Sequence, residues 1–283
     1  MVSDYNTWGT LKSNLRALLF VCLSQALLFM FFSPLSVAIA DILDEATEIL
    51  GGADAHIKRW EFPPQFVVVY DSDINRLVIS GEVERISGVT GMQLPEVKFI
   101  KLSDFEINEA FFDKTSFDLL TPENEMIFAR LRLGEIGAQE VLGNIFVFLV
   151  SKPLASYFMI ASSYGDGGNS LERQYISGDT PCFFSVLSMS GEMFLSTIFI
   201  DPRLPSRELS ACVYEEFSQS MGLIRDYPGS QHFNYDNAKD AKEQKDPRYD
   251  ELLLSALYDI GVERRSSVEV VVRIFRGLIE NAQ

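Results

Sequence analysis

Four residues in the segment 211–226, ACVYEEFSQSMGLIRD, have types and a spacing that could support chemistry. Glu215 and Glu216 are adjacent, Gln219 follows one helical turn after Glu215, and Gly222 comes three residues later. A glutamate can act as a general base, and oxygen-bearing side chains can hold a metal ion. The pattern therefore points to water activation or ion binding on this segment.

The same spacing is found in the active-site helix of metzincin-type zinc peptidases. In that pattern two histidines one turn apart bind zinc, a glutamate between them is the base, and a glycine turns the chain toward a third ligand. Only Glu216 and Gly222 keep the residue type here, while Glu215 and Gln219 stand at the histidine positions and Arg225 at the third-ligand position. We therefore predict a zincin-like helix that has lost its zinc ligands, with Glu216 as the candidate catalytic base.

A helix at this position is predicted from an apolar stripe and a start signal. Leu209, Val213 and Phe217 recur every four residues, and Ser206 after Pro205 is a good N-cap. Adjacent residues of a helix are rotated by about 100°, so the two carboxylates do not face each other. This disfavours an acid/base pair of the glycosidase kind, in which two carboxyls flank one bond. The alternative is that the Glu pair is an ordinary solvated helix turn.

The segment also resembles the core pattern C-x-x-E-E-x-x-Q-x-x-G-L-x-x-D of the exported bacterial domain-of-unknown-function family 2927. The matching residues are Cys212, Glu215, Glu216, Gln219, Gly222, Leu223 and Asp226. The further matches are Ile57–Trp60, Cys182, the Phe233-Asn234 step and Leu257-Tyr258-Asp259. One departure is Tyr214, which stands where family members carry histidine. Because the activity of the family is not established, the resemblance implies a degenerate zincin-like fold more than a function.

The N-terminal segment 1–40 is predicted to be a removable signal peptide. Lys12 and Arg16 precede a long apolar run, and Ala38-Ile39-Ala40 before Asp41 is a suitable cleavage signal. Cleavage between Ala40 and Asp41 would release a periplasmic or secreted protein. The alternative is an uncleaved membrane anchor, because the apolar run is long enough to span a bilayer.

The charge balance argues against polyanionic partners. Of the 24 basic and 40 acidic residues, Lys12, Arg16 and Asp4 leave with the signal segment, which leaves 22 and 39 and a net charge of −17. Nucleic acid is therefore not an expected partner, and a membrane is expected only through an uncleaved N-terminal segment. A peptide or a component of the cell envelope is the expected kind of ligand.

Cys182 and Cys212 are the two cysteines that remain after the signal segment is removed. In an oxidising compartment such a pair is most simply a disulfide. The alternative is that Cys212 is a metal ligand on the helix face that carries Glu215 and Gln219.

The chain has only two histidines, His56 and His232, so a histidine-rich zinc site cannot be assembled. A mixed site of Glu215, Asp226 and His232 is an alternative, and its oxygen ligands would suit calcium or manganese better than zinc. A bound metal is thus an alternative, but no metal or other cofactor is predicted.

The predicted fold is α+β and consists of two parts that pack as one compact unit. A zincin-like lobe with a mixed twisted sheet and the active-site-type helix spans 41–223, and a loop with a small helical C-terminal lobe spans 224–283. Buried strands are predicted at 66–70, 97–102 and 145–150, and a hairpin through Ser190-Gly191 joins strands at 182–187 and 193–200. Helices are predicted at 41–50, 74–86, 153–162, 249–260 and 267–279.

Four further segments remain. The turn cluster 165–169 is not followed by a helical pattern and lacks the Lys-Ser/Thr of a phosphate-binding loop. The segment 236–247 is highly charged and is predicted to be a mobile loop. Phe183–Leu187 is the candidate rim of a substrate cleft, while 103–143 carries no pattern that places it.

Together these features predict an exported binding pseudo-enzyme of the cell envelope. The candidate cleft residues are Glu215, Gln219, Gly222, Asp226, His232 and Asn234. One alternative is an atypical metal-dependent hydrolase of the peptidase type in which Glu216 activates water. Another is a purely structural role, in which Glu215 and Gln219 hydrogen-bond backbone groups of the loop after Gly222 and of the turn 230–234.

Overall fold

The computed structural model describes residues 39–102, 144–162, 170–227, 230–234 and 247–282. Most of the predicted signal segment, the segment 103–143 and most of the predicted charged loop therefore lie outside the described residues. The chain divides into two compact units, residues 1–44 and residues 45–283. In the described part of the chain, no helix is both long and apolar enough to cross a membrane.

Five strands form one mixed sheet. Their bounds are β1 Gln65–Tyr70, β2 Lys98–Lys101, β3 Asn144–Leu149, β4 Cys182–Met189 and β5 Glu192–Ile200. The order across the sheet is β2-β1-β3-β5-β4. The pairs β1/β2, β1/β3 and β3/β5 are parallel, and β4 alone among the described strands is antiparallel to its neighbour.

Seven helices are described. Their bounds are α1 39–49, α2 Arg76–Thr90, α3 Lys152–Ser162, α4 Ser170–Ser177, α5 Ser206–Ser220, α6 Arg248–Leu257 and α7 Val268–Ala282. The helix α5 packs on β4 and β5, α2 packs on α5 and α6, and α6 packs on α7. The predicted α+β class, with a mixed sheet and C-terminal helices, is confirmed by these elements.

The two faces of the sheet bury different side chains, because neighbouring residues of a strand point to opposite faces. On one face a row of partnered residues, Val69, Phe148, Phe199 and Phe183, crosses four strands and packs into a core with α3 and α4. On the other face Phe66 of β1 stacks on Phe217 of α5, with ring centroids 4.9 Å apart. Burial on both faces explains why β1 and β3 are nearly continuous apolar runs. The strand predicted as buried at 97–102 is instead the outer strand β2, whose residues are only half-buried.

The hairpin between β4 and β5 turns through Ser190 and Gly191, as predicted. Both residues have positive φ, 56° and 85°, which is the conformation of a type I′ turn. A Cβ atom at Gly191 would lie 3.0 Å from the carbonyl oxygen of Ile57. The turn therefore fixes both the register of the hairpin and its position against the segment that precedes β1.

Three expectations about helices are wrong. A helix, α4, does follow the turn cluster at 165–169; it has only eight residues and few apolar positions, so it shows little periodicity. Ser206 is the first residue of α5 rather than its N-cap, which is Pro205. The helix α6 ends at Leu257, and Ile260 is fully exposed because it lies beyond the helix.

Candidate functional site

The C-terminal half of α5 carries the candidate residues, and it is buried all round. Val213 and Phe217 of the predicted stripe are almost fully buried, and every residue from Glu215 to Ser220 is buried as well. A helix half that is buried on every side must satisfy its polar side chains within the protein. The contacts of those side chains therefore decide what this region can do.

The predicted disulfide between Cys182 and Cys212 is present and ties the first residue of β4 to the middle of α5. The Cα atoms are 6.0 Å apart, and the loop between the cysteines spans 30 residues. Closing a loop of this length stabilises a fold by about 3 to 4 kcal/mol in the chain-entropy model. A disulfide sulfur is not a thiolate, so the alternative of Cys212 as a metal ligand is wrong for this structure.

Glu216, the candidate base, is a buried carboxyl surrounded by like charge. Its side chain is only 4 % exposed, and its Oε2 accepts no hydrogen bond from the described residues. Burial raises the pKa of Glu216 well above its usual range, and the nearby carboxylates of Glu215 and Asp226 raise it further. Glu216 therefore favours its neutral form, in which it can donate a hydrogen bond but cannot take up a proton.

Gln219, one of the predicted cleft residues, is committed to a contact within the protein. Its Nε2 donates to Oδ1 of Asp226, so the amide joins the end of α5 to the segment that follows it. Gln219 is 2 % exposed, whereas Asp226 lies at the surface. The predicted cleft residues Glu215, Gln219 and Asp226 are thus brought together, with Glu216 beside them.

Gly222 is required by a close backbone approach. Its φ is 115°, and a Cβ atom there would lie 2.2 Å from the carbonyl oxygen of Lys58 and 2.8 Å from Leu257. Any other residue would therefore be strained and would also push the segment around Lys58 away from α5. The glycine at this position has a structural reason that is independent of any metal site.

The same segment closes the C-terminal end of α5. The indole Nε1 of Trp60 donates to the carbonyl oxygen of Ser220 at 2.8 Å, and the hydroxyl of Tyr258 donates to that of Met221 at 2.9 Å. The backbone N–H of Trp60 donates to the same tyrosine hydroxyl at 3.2 Å. Carbonyls at a helix end have no partner within the helix, so these bonds supply the partners they need.

Tyr214, directly before the Glu pair, is half-buried and belongs to a second polar network. Its hydroxyl donates to Oδ2 of Asp250 at 3.1 Å, and Asn234 donates to the same carboxylate through its backbone N–H at 3.2 Å and its Nδ2 at 2.6 Å. Burial raises the pKa of Asp250 to about 6, although the bonds from Asn234 and Tyr214 oppose the rise. Asn234 therefore holds the turn 230–234 onto α6 through the carboxylate of Asp250.

Arg85 of α2 supports this network from the other side. Its guanidinium lies 4.3 Å from the ring centroid of Tyr214, donates to Ser218 at 2.8 Å, and pairs with Glu82 at 2.5 Å. Burial raises the pKa of Glu82 to about 7, with the bond from Arg85 opposing the rise. Arg85 thus joins α2 to α5 and lies half-buried beside the carboxylate of Glu82.

His232 contributes no ligand to the Glu215 region. Its backbone N–H donates to Glu45 at 3.3 Å, and its ring packs edge-on against Tyr249 with centroids 5.8 Å apart. In the described residues, no three His, Cys, Asp or Glu side chains come together as a metal-binding group, and this includes the set Glu215, Asp226 and His232.

Several contact residues were missed by the sequence patterns. Glu45 accepts hydrogen bonds from the hydroxyl of Ser230 at 2.6 Å and from the backbone N–H of Gln231 at 3.1 Å, and it thereby holds the turn. Asp250 lies in the first turn of α6, where an acidic residue is ordinarily solvated. Nothing in the local sequence marks these two carboxylates as buried, because the turn that covers them comes from elsewhere in the chain.

A family model described as a protein of unknown function (DUF2927) matches residues 43–274. The chain belongs to this family. Neither the curated proteins nor the solved structures contain a match to the chain. Two of the segments that carried the resemblance to DUF2927, Ile57–Trp60 and Leu257-Tyr258, converge on Gly222 at the end of α5. In this DUF2927 chain these segments therefore hold the C-terminal end of α5. The contacts of Lys58, Trp60, Leu257 and Tyr258 with that end form a clasp.

Proposed function

We propose that this chain is an exported binding protein of the cell envelope, with a zincin-like cleft that has lost its metal ligands and does not catalyse hydrolysis. The strand order supports the zincin-like part, since β4 is antiparallel and outermost among the described strands and α5 follows β5 directly. That order is expected of a lobe whose antiparallel outer strand forms the rim of a cleft. The Cys182–Cys212 disulfide supports export, because such bonds persist in oxidising compartments.

The observation that carries the non-catalytic part is the state of Glu216. A general base must be ionised and must reach a water molecule. Burial and the carboxylates of Glu215 and Asp226 favour the neutral acid instead. In addition, Gln219 is already bonded to Asp226 and is a weak neutral ligand for a metal.

The ligand that suits this geometry best is an extended peptide on the outer edge of β4. An outermost strand presents backbone N–H and C=O groups to which a peptide can add as a further strand. The pairing of β4 with β5 is irregular between Leu187 and Ser188, so Phe183–Leu187 is the regular part of the edge. Leu187 and Met189 are exposed apolar side chains, 39 % and 69 %, that can contact a peptide.

A labelled library of random peptides, read by fluorescence anisotropy, tests the binding part. We expect a subset of peptides to bind, and Leu187→Asp to weaken that binding by about tenfold. The matched control is Ile176→Asp, at a similarly exposed isoleucine on α4, which should leave binding unchanged. An absence of binding peptides, or equal loss in both variants, would contradict the proposal.

The alternative is an atypical metal-dependent hydrolase in which Glu216 activates water and Glu215, with Asp226, holds the ion; His232 packs against Tyr249 and is not beside them. The unbonded Oε2 of Glu216 is the observation that favours it. Elemental mass spectrometry of the purified protein and a peptide hydrolysis assay separate the two functions. We expect no metal-dependent hydrolysis; hydrolysis that requires a bound metal and is lost in Glu216→Gln would establish the alternative.

A further inference from the structure

A second polar region lies at the opposite end of the strands from the clasp on α5, where β1, β3 and β5 finish. These three strands are parallel neighbours. Asp71 and Asp201 directly follow β1 and β5, and Ser151 is the second residue after β3. The chain goes from β1 to β2 on one side, whereas β3 lies on the other side of β1. In open sheets of this kind, ligands bind outside the carboxyl ends of strands at the point where the order reverses.

One buried hydroxyl at this end has no hydrogen-bond partner in the described part of the chain. Tyr175 of α4 is fully buried, yet its hydroxyl is unbonded. Its ring packs 5.5 Å from Phe183 and 6.3 Å from Phe199, which is one residue before the end of β5. A buried hydroxyl without a partner costs free energy, so such a group calls for a ligand or a water molecule.

Charged groups of both signs surround the tyrosine. The ammonium group of Lys152, the first residue of α3, lies 5.8 Å from the centroid of the Tyr175 ring. Burial raises the pKa of Tyr175, and the carboxylates of Asp201 and Asp71 raise it further, which puts both within electrostatic range of the hydroxyl. The carboxylate of Asp201 is already neutralised by Arg203, whose Nη2 donates to it at 2.7 Å.

Asp71 is the carboxylate that retains binding capacity. Its Oδ2 accepts the backbone N–H of Ser151 at 2.7 Å, which fixes the side chain across the gap between β1 and β3. A carboxylate can accept about four hydrogen bonds, and Asp71 is only half-buried. The region thus offers hydrogen-bond donors at Tyr175 and Lys152 and an anionic acceptor at Asp71.

We propose that the carboxyl ends of β1, β3 and β5 form a second binding site, for a small zwitterion of the free amino acid class. The carboxylate of the ligand accepts from the hydroxyl of Tyr175 and from Lys152, and its ammonium group donates to Asp71. Two interstrand spacings of about 4.8 Å separate the ends of β1 and β5, a span that suits one small molecule. The proposal does not depend on the peptide-binding edge of β4.

Thermal shift and isothermal titration with each of the common free amino acids, and with inorganic phosphate, test this site in the full protein. We expect at least one amino acid to raise the melting temperature and to bind about tenfold more weakly to Tyr175→Phe. This variant keeps the ring and removes only the unbonded hydroxyl, so it should fold normally. Asp71→Asn should weaken binding similarly, whereas Tyr227→Phe, the same chemical change elsewhere, should not.

Four results would overturn the proposal. The first is that no amino acid binds to the wild-type protein. The second is that phosphate alone binds, which would mark a site for simple anions. The third is binding that Tyr175→Phe leaves intact. The fourth is a crystal structure with an ordered water on the hydroxyl and no amino acid bound after soaking, which would identify water as the partner.

Discussion

Glu216 on α5 and Tyr175 on α4 each bury one oxygen that the described residues leave unbonded, but their surroundings differ. Glu216 is near two carboxylates, and both raise its pKa. Tyr175 is near carboxylates and cations, which partly cancel. By retaining a proton the glutamate avoids a buried charge, whereas the tyrosine is already neutral and gains only from a hydrogen-bond partner. The same deficiency therefore indicates a closed structural site in one region and a ligand site in the other.

The largest expected effect tests whether the Glu216 region is closed by its clasp. Gly222→Ala places a Cβ atom 2.2 Å from the carbonyl oxygen of Lys58 at a φ of 115°. We expect it to lower the free energy of unfolding by about 3 to 5 kcal/mol, measured by urea denaturation. Gly81→Ala is the control: nothing lies within 4 Å of its Cβ position on α2, so it should stabilise by about 1 kcal/mol. Equal effects would show that α5 is not clasped.

A smaller effect concerns the network beside the clasp. The pKa of Asp250 is about 6 in the folded protein against 3.8 ordinarily, so folding favours its neutral form. Stability from this group is therefore fully present below pH 4 and is lost as pH rises to 6, by about 1 to 3 kcal/mol. Denaturation curves between pH 4 and 7 should show this fall, and Asp250→Asn should flatten it. An unchanged slope in the variant would assign the pH dependence to another group, such as Glu82.

The state of Glu216 predicts a further pH effect of similar sign. Its raised pKa means that the ionised carboxyl destabilises the fold, so stability is lost as pH rises through the folded pKa. We expect Glu216→Gln to raise the free energy of unfolding at pH 8 by about 1 kcal/mol or more. Glu84→Gln, at an exposed glutamate of α2, should have no comparable effect. Destabilisation by Glu216→Gln would show that the carboxylate has a partner and is used in its charged form.

The smallest effects compare the half-buried Tyr214 with the fully buried Tyr175. Tyr214→Phe removes a hydroxyl that is bonded to Asp250 and should cost about 1 to 2 kcal/mol. Tyr175→Phe removes an unbonded hydroxyl and should leave stability unchanged or slightly higher without ligand. Thermal and urea denaturation of both variants measure the difference. A loss at Tyr175 equal to that at Tyr214 would mean that an internal water already bonds the Tyr175 hydroxyl.

The sequence was informative wherever one segment carries its own pattern. The buried strands β1 and β3, the turn at Ser190-Gly191 and the cysteine pair were predictable because apolar runs, turn residues and cysteine counts are local signals. The short helix α4 was not, because eight residues are too few for a period to show. The same holds for the candidate site. The residue pattern of α5 could be recognised in the sequence, but its contacts with Lys58 and Asp250 could not, because those residues belong to distant segments.

The bond between Trp60 and the end of α5 has a practical consequence for spectroscopy. The chain has two tryptophans, Trp8 and Trp60, and Trp8 lies in the predicted signal segment. After cleavage at the predicted position, Trp60 would be the single indole of the protein, fully packed and bonded to the carbonyl oxygen of Ser220. Its intrinsic fluorescence would then report on one place, the clasp beside Glu216, without any added label.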